Sequence, residues 1–202
     1  TKPGRVGPNL NLYPWLLTAY QHASRATTLA VARPFKSALT GDSVRFDSAA
    51  LAFQSKILSY EWAFHDGTRV QGPRAEKVFA KPGCYMTSLW ITDDRGQRDV
   101  DFCRVRVYSR ADPEDFVPTL FVTHAPSRHV RVNQAVHFRI WPQGGDVRAI
   151  KLDFGDGRIV KDYVPYSAIT HRFKRPGIHV VTVTGRAGEL PVTQKVKVVV
   201  DQ

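Results

Sequence analysis

Tyr60, Trp62 and Phe64 alternate with Glu61, Ala63 and His65 before Asp66-Gly67, and Ile150, Leu152 and Phe154 alternate with Lys151, Asp153 and Gly155 before Asp156-Gly157. A period of two puts one set of side chains on a core face and the other toward solvent. Both runs therefore predict β-strands that end in tight hairpins. Pro-Gly at 82–83 and 176–177 predicts a further turn in each half. Long strands follow over 84–92 and 178–185, then turns at Asp93-Asp94-Arg95-Gly96 and Arg186-Ala187-Gly188, then closing strands over 99–108 and 192–200. Neither half carries helical periodicity. Short strands punctuated by turns about every ten residues predict a β-sandwich in each half.

The two runs belong to one unit written twice. Tyr60–Gly67 and Ile150–Gly157 lie 90 residues apart. Phe79-Ala80-Lys81-Pro82-Gly83-Cys84-Tyr85 and Phe173-Lys174-Arg175-Pro176-Gly177-Ile178-His179 lie 94 apart, and Ser43–Phe46 and Ala135–Phe138 lie 92 apart. Three blocks in the same order mark a tandem repeat of about 80–90 residues. Between the copies, Asp112, Glu114 and Asp115 stand without a base over 111–117, beside Pro113 and Pro118, which block both a ladder and a helix. The expected organisation is an N-terminal segment over 1–28, a sandwich over 29–109, a linker over 110–118 and a second sandwich over 119–202.

Trp-x-Phe-x-Asp-Gly followed by Phe-x-x-Pro-Gly-x-Tyr resembles the polycystic-kidney-disease (PKD) repeat, an immunoglobulin-like sandwich whose pattern is Trp-x-Phe-Gly-Asp-Gly. The first copy keeps Trp62 but has His65 for the first Gly; the second keeps Phe154-Gly155-Asp156-Gly157 but has Leu152 for the Trp. His171-x-Phe173 is similar to the family's His-x-Tyr, while His179 departs from its usual Tyr. The resemblance implies an all-β chain of two tandem modules, non-catalytic parts of secreted or cell-surface proteins, set beside hydrolases or in adhesive arrays. The function expected on that ground is binding to an extracellular polysaccharide or protein, and spacing within a larger polypeptide. Two alternatives stand beside it: a structural subunit of an adhesive or polymeric cell-surface assembly, and an accessory C-terminal region of a secreted hydrolase.

Composition narrows the partners. Of the 202 residues 43% are apolar and 23% charged, the usage of a folded chain. No apolar run approaches the ~18–20 residues of a spanning helix, so no membrane span is expected. The chain opens at Thr1 without a basic-then-apolar leader, as a mature or excised piece would. Leu10, Leu12, Tyr13, Trp15, Leu16, Leu17 and Tyr20 are too apolar for a free tail. With Pro14 in a first helical turn, they read as the end of an upstream domain or as an arm that docks on a neighbouring subunit. Lys and Arg number 29 against 18 Asp and Glu, a net charge of +11. These bases are scattered rather than clustered with stacking aromatics. That argues against nucleic acid; it fits an acidic polysaccharide or protein surface, or solubility alone.

Candidate chemistry is sparse. Seven histidines (22, 65, 124, 129, 137, 171, 179) stand outside any His-Glu-x-x-His pattern, and no Gly-x-Ser-x-Gly or Gly-rich phosphate loop occurs. Asp66 and Asp156 stand where a hairpin favours Asp before Gly. No catalytic residue is expected. Asp93, Asp94, Asp99 and Asp101 put four carboxylates around one hairpin, the donors Ca²⁺ takes, or else a solvated turn, since the Asp-x-Asp-x-Asp-Gly spacing is missing. Cys84 and Cys103 flank the same hairpin as a candidate cross-strand disulfide or as two separate thiols. Parity opposes the bond, because Cys84 is out of phase with core-facing Tyr85, Leu89 and Ile91 while Cys103 is in phase with Val105 and Val107. On the same count Met86, Ser88 and Trp90 point outward. Trp90 and Met86 then make a flat binding platform, or they are covered by the other module or by the N-terminal segment. Trp141, outward just before Pro142, is a third candidate contact.

Overall fold

The computed structural model describes residues 28–113 and 115–202; the apolar run over 10–20 and the helical turn expected at Pro14 lie outside the described residues. Every regular element among the described residues is a strand. The first half runs through β1 (Thr28–Leu29), β2 (Ala32–Arg33), β3 (Lys36–Leu39), β4 (Ser43–Ser48), β5 (Leu51–Ala52), β6 (Ile57–Ala63), β7 (Arg69–Gln71), β8 (Arg74–Val78), β9 (Gly83–Asp93) and β10 (Arg98–Tyr108). The second runs through β11 (Thr119–Ala125), β12 (Val130–Arg131), β13 (Val136–Gln143), β14 (Arg148–Asp153), β15 (Ile159–Val160), β16 (Ala168–His171), β17 (Gly177–Ala187) and β18 (Leu190–Asp201).

Each half is built on two facing sheets, and the first adds a two-stranded ladder of β1 and β5. In the first, β2–β4–β8 lies over β7–β6–β9–β10–β3; in the second, β11–β13–β16 lies over β15–β14–β17–β18–β12. The period-two pattern accounts for both cores. Phe46, Trp62, Phe64, Phe79, Leu89 and Ile91 fill the first, and Phe138, Ile140, Leu152, Phe154, Phe173 and Val183 the second. Burial of each such side chain is worth about 1.5–3 kcal/mol. The indole of Trp62 is buried without leaving an orphan donor, because its Nε1–H donates to the Gly72 carbonyl at 3.1 Å.

The halves share one sheet. β18 runs parallel to β9 and pairs with it at a single position, Val192 opposite Cys84. Gly83 permits that approach: it sits at φ 153°, and a Cβ there would stand 2.7 Å from the Pro191 carbonyl oxygen. Beyond this point the outward faces of the two sandwiches meet. Met86, Val100 and Phe102 pack against Ile178 and Val180, with Trp90 alongside. Lys195 Nζ donates to Ser88 Oγ and Lys197 Nζ to Asp99 Oδ1, each at 2.8 Å. Alternate residues of β9 thus face the first core and this seam, which is why nearly the whole strand is buried.

Candidate functional site

The seam corrects the first candidate platform. Met86 is 3% exposed and Trp90 is half-buried under the Arg98 guanidinium, 4.9 Å from its ring. Parity turns this face away from the first core, as the alternation requires, but the second module covers it. Met86 offers no surface to a ligand.

Three of the four carboxylates are likewise engaged. Asp93 is buried, accepting the Thr28 hydroxyl at 2.5 Å on Oδ2 and the Arg95 and Gln97 amides on Oδ1. Asp99 accepts the Ala30 amide at 2.9 Å and Lys197, and Asp101 accepts the Ala32 amide at 2.8 Å. Asp94 stays exposed at the turn. These oxygens hold the strands over 28–33 to the hairpin. Among the described residues no three His, Cys, Asp or Glu side chains gather as a metal-holding group.

Cys84 and Cys103 are free thiols rather than a disulfide. Cys84 stands opposite Arg106 and Cys103 opposite Thr87, and their side chains enter different cores. A one-residue parity difference sends the sulfurs to opposite faces of the sheet. Burial pushes the Cys84 thiol up to about 11 and raises Cys103 further, so neither is a thiolate at neutral pH.

Trp141 is placed differently. It lies opposite Phe121 across β11 and β13, the two rings stacked at 5.9 Å with 13° between their planes. Both are half-buried, and neither belongs to the second core. Arg139 and His137 precede Trp141 at alternate positions of β13 and are exposed, with His137 Nδ1 2.9 Å from Thr170 Oγ1 on β16. The outer face of this sheet is therefore an aromatic pair followed by a polar track.

A third feature lies at the tip where each Asp-Gly hairpin meets the strand before the Pro-Gly turn. In the first module Lys77 Nζ bonds Asp66 Oδ2 at 2.5 Å and stands 5.5 Å from the Phe64 ring centre. In the second, His171 occupies the equivalent place: its Nε2 donates to Asp156 Oδ2 at 2.7 Å and its ring stacks on Phe154 at 4.1 Å. The Tyr85 hydroxyl donates to the Lys81 carbonyl and His179 Nε2 to the Arg175 carbonyl, both at 2.9 Å. His179 thus does the structural job of a tyrosine. Around the second tip opens a cleft of about 920 Å³, lined by Arg158, Arg172, Lys174 and Arg175 among others. These bases look scattered along the chain because two separate turns supply them. The signal for them is the charge difference between the aligned copies, Thr68 and Ala80 against Arg158 and Lys174, rather than the shared apolar period.

The Asp pairs make the fold acid-sensitive. The Lys77 ammonium holds Asp66 well below the usual carboxylate range. Burial pushes Asp156 up, but hydrogen bonds from His171 and the Arg158 amide outweigh it and leave Asp156 low. The Thr28 hydroxyl, with the Gln97 and Arg95 amides, lowers Asp93 against its burial. A carboxylate depressed by folding stabilises above its unfolded pKa, and that contribution is lost as pH falls through the folded value. Asp101, raised by burial, works the other way. The melting temperature is expected to drop as pH goes from about 4 toward about 2. Asp66→Asn should lower it at neutral pH and flatten the acid slope; an unchanged slope would remove this pair from the account.

The PKD domain family pattern matches residues 26–107 and again residues 121–200. Among solved structures, the PKD1 domain of the Vibrio cholerae metalloprotease PrtV is 24% identical over 41% of this chain and 98% of its own, at a TM-score of 0.36. The fibronectin(III)-like modules of Clostridium thermocellum CbhA are 15% identical over 86% of this chain and 95% of theirs, at 0.36. Bacteroides ovatus SGBP-B, solved with a mixed-linkage heptasaccharide, is 15% identical over 89% of this chain and 48% of its own, at 0.32. With both halves matched, the chain belongs to the PKD domain family, as two modules in tandem.

Proposed function

We propose that this tandem is a non-catalytic unit of a secreted or cell-surface protein that holds a polysaccharide on the outer face of its second module and spaces it from the rest of the polypeptide. The observation that carries the reading is the Phe121–Trp141 pair on a sheet face that lies outside the second core. A flat, half-exposed aromatic pair offers apolar area at low entropic cost, and the hydroxyl, imidazole and guanidinium groups beside it can bond sugar hydroxyls. The seam supports spacing, since a shared sheet and a buried apolar contact resist hinge motion between modules.

Retention in native gels containing neutral β-glucans, measured for wild type and Trp141→Ala, tests the binding. Loss of a central aromatic anchor is expected to weaken retention about tenfold or more. Equal retention by the variant would discard this face.

A further inference from the structure

We infer that Arg158, Lys174 and Arg175, with Arg172 beside them, form a site at the tip of the second module for the carboxylate or sulfate groups of an acidic polysaccharide. The inference rests on the polysaccharide reading above and names the chemistry of the chain that is held.

The repeat supplies an internal control. At the same places the first module carries Thr68 for Arg158, Val78 for Arg172, Ala80 for Lys174 and Lys81 for Arg175. It nonetheless builds the same hairpin, an equivalent side-chain bond to the turn Asp and the same bond to the carbonyl before the Pro-Gly turn. The fold therefore needs one donor to the turn Asp at this tip, which is Lys77 in the first module and His171 in the second. Three of the four surrounding bases are extra.

Three of the four also lack an ion-pair partner among the described residues; the fourth is bonded to backbone. Arg172 donates to the Asn133 carbonyl at 2.6 Å. Among the described residues, the Arg158, Lys174 and Arg175 side chains have no carboxylate in ion-pair reach, and the one acid of the cleft, Asp156, is bonded to His171. All four bases are exposed. Like charges gathered around a concave site repel one another, and an anion bound there relieves that repulsion.

The shape favours a glycan over other polyanions. The rings in the cleft, His171 and His179, are buried and engaged, so no free aromatic face is offered to a nucleobase. A cleft of about 920 Å³ takes a few sugar units, whereas a protein partner needs a broad, flatter contact. The site also continues the proposed platform. Trp141 lies four residues beyond His137, about 13 Å along β13, and His137 pairs with Thr170, two residues before Arg172. A chain stacked on Trp141 reaches the tip along one sheet face.

The test uses the full chain, with heparin as a sulfated probe, polygalacturonate as a carboxylated one, a neutral glucan, and a single-stranded oligonucleotide. The variant Arg158→Thr/Lys174→Ala/Arg175→Ala takes the first module's residue at two of its three positions and removes exposed side chains with no ion-pair partner among the described residues, so its melting temperature should stay near wild type. A control, Lys36→Ala/Lys56→Ala/Lys151→Ala, removes the same charge elsewhere. Titration near 0.1 M salt is expected to show at least about tenfold weaker binding of one or both acidic glycans by the tip variant, little change for the control, and a weaker salt dependence. The sulfated or carboxylated arm that loses more identifies the group held. Equal losses by tip variant and control, or no binding of either glycan by wild type, would overturn the site. Oligonucleotide binding as tight as that of the glycan, with the same loss, would overturn the glycan assignment. Neutral-glucan retention through Trp141 reads the platform separately, so either part can fail without the other.

Discussion

Phe154→Ala is expected to unfold the second module at a clearly lower urea concentration, with a loss of about 3–5 kcal/mol. The ring is fully buried. It meets Phe138 edge-on at 5.4 Å, and its other face carries His171 at 4.1 Å. Truncation removes the transfer free energy of the ring and leaves a cavity between two sheets that cannot close on it. It also frees the imidazole that bonds Asp156, so the tip loosens together with the core. Trp141 is the sole tryptophan of 119–202, and its fluorescence should report this transition. Phe154→Leu keeps most of the volume and should lose far less. The repeat makes a matched prediction: Phe64, which meets Phe46 edge-on at 5.2 Å, occupies the same place in the first module, and Phe64→Ala should cost a comparable amount there. A loss below about 1 kcal/mol at either position would mean that the alternation was misread.

What could be read in the chain was whatever alternation and turn chemistry decide locally. Trp62, Phe64, Leu152 and Phe154 face the cores because their neighbours take the other side of the strand. The opposite faces of Cys84 and Cys103 follow from the same count. Gly155 illustrates a local rule with a long-range cause: it sits at φ 76°, and a Cβ there would stand 2.7 Å from the Val180 carbonyl oxygen. In the first copy His65 takes its place, stacking on Phe79 and lying tilted against Tyr85. What could not be read was what lies against an outward face. Met86 and Trp90 are correctly outward, but the strands that cover them come about a hundred residues later, and no periodicity encodes that meeting. The hairpin carboxylates were opaque for the same reason, since their partners at 28, 30 and 32 lie some 65–69 residues upstream.

The seam itself should fail in a defined way. Met86→Lys places an ammonium between two sheets, where Val100, Phe102, Ile178 and Val180 offer it no partner. The seam's other cations, Lys195 and Lys197, add repulsion, and the seam's acid, Asp99, is already bonded to Lys197. Burying an unpaired charge costs several kcal/mol, while parting the faces forfeits about 1.5–3 kcal/mol for each large side chain that becomes exposed. Parting is the cheaper response. Neither core contains Met86, so both modules should stay folded while the contact opens. Small-angle scattering is expected to show a larger radius of gyration for the variant, and thermal unfolding should separate into two transitions where the coupled wild type is expected to give one. Met86→Leu, close in volume, should keep the wild-type profile. If Met86→Lys keeps both the scattering curve and a single transition, the modules are not coupled through this face, and the rigid spacing proposed for them loses its physical basis.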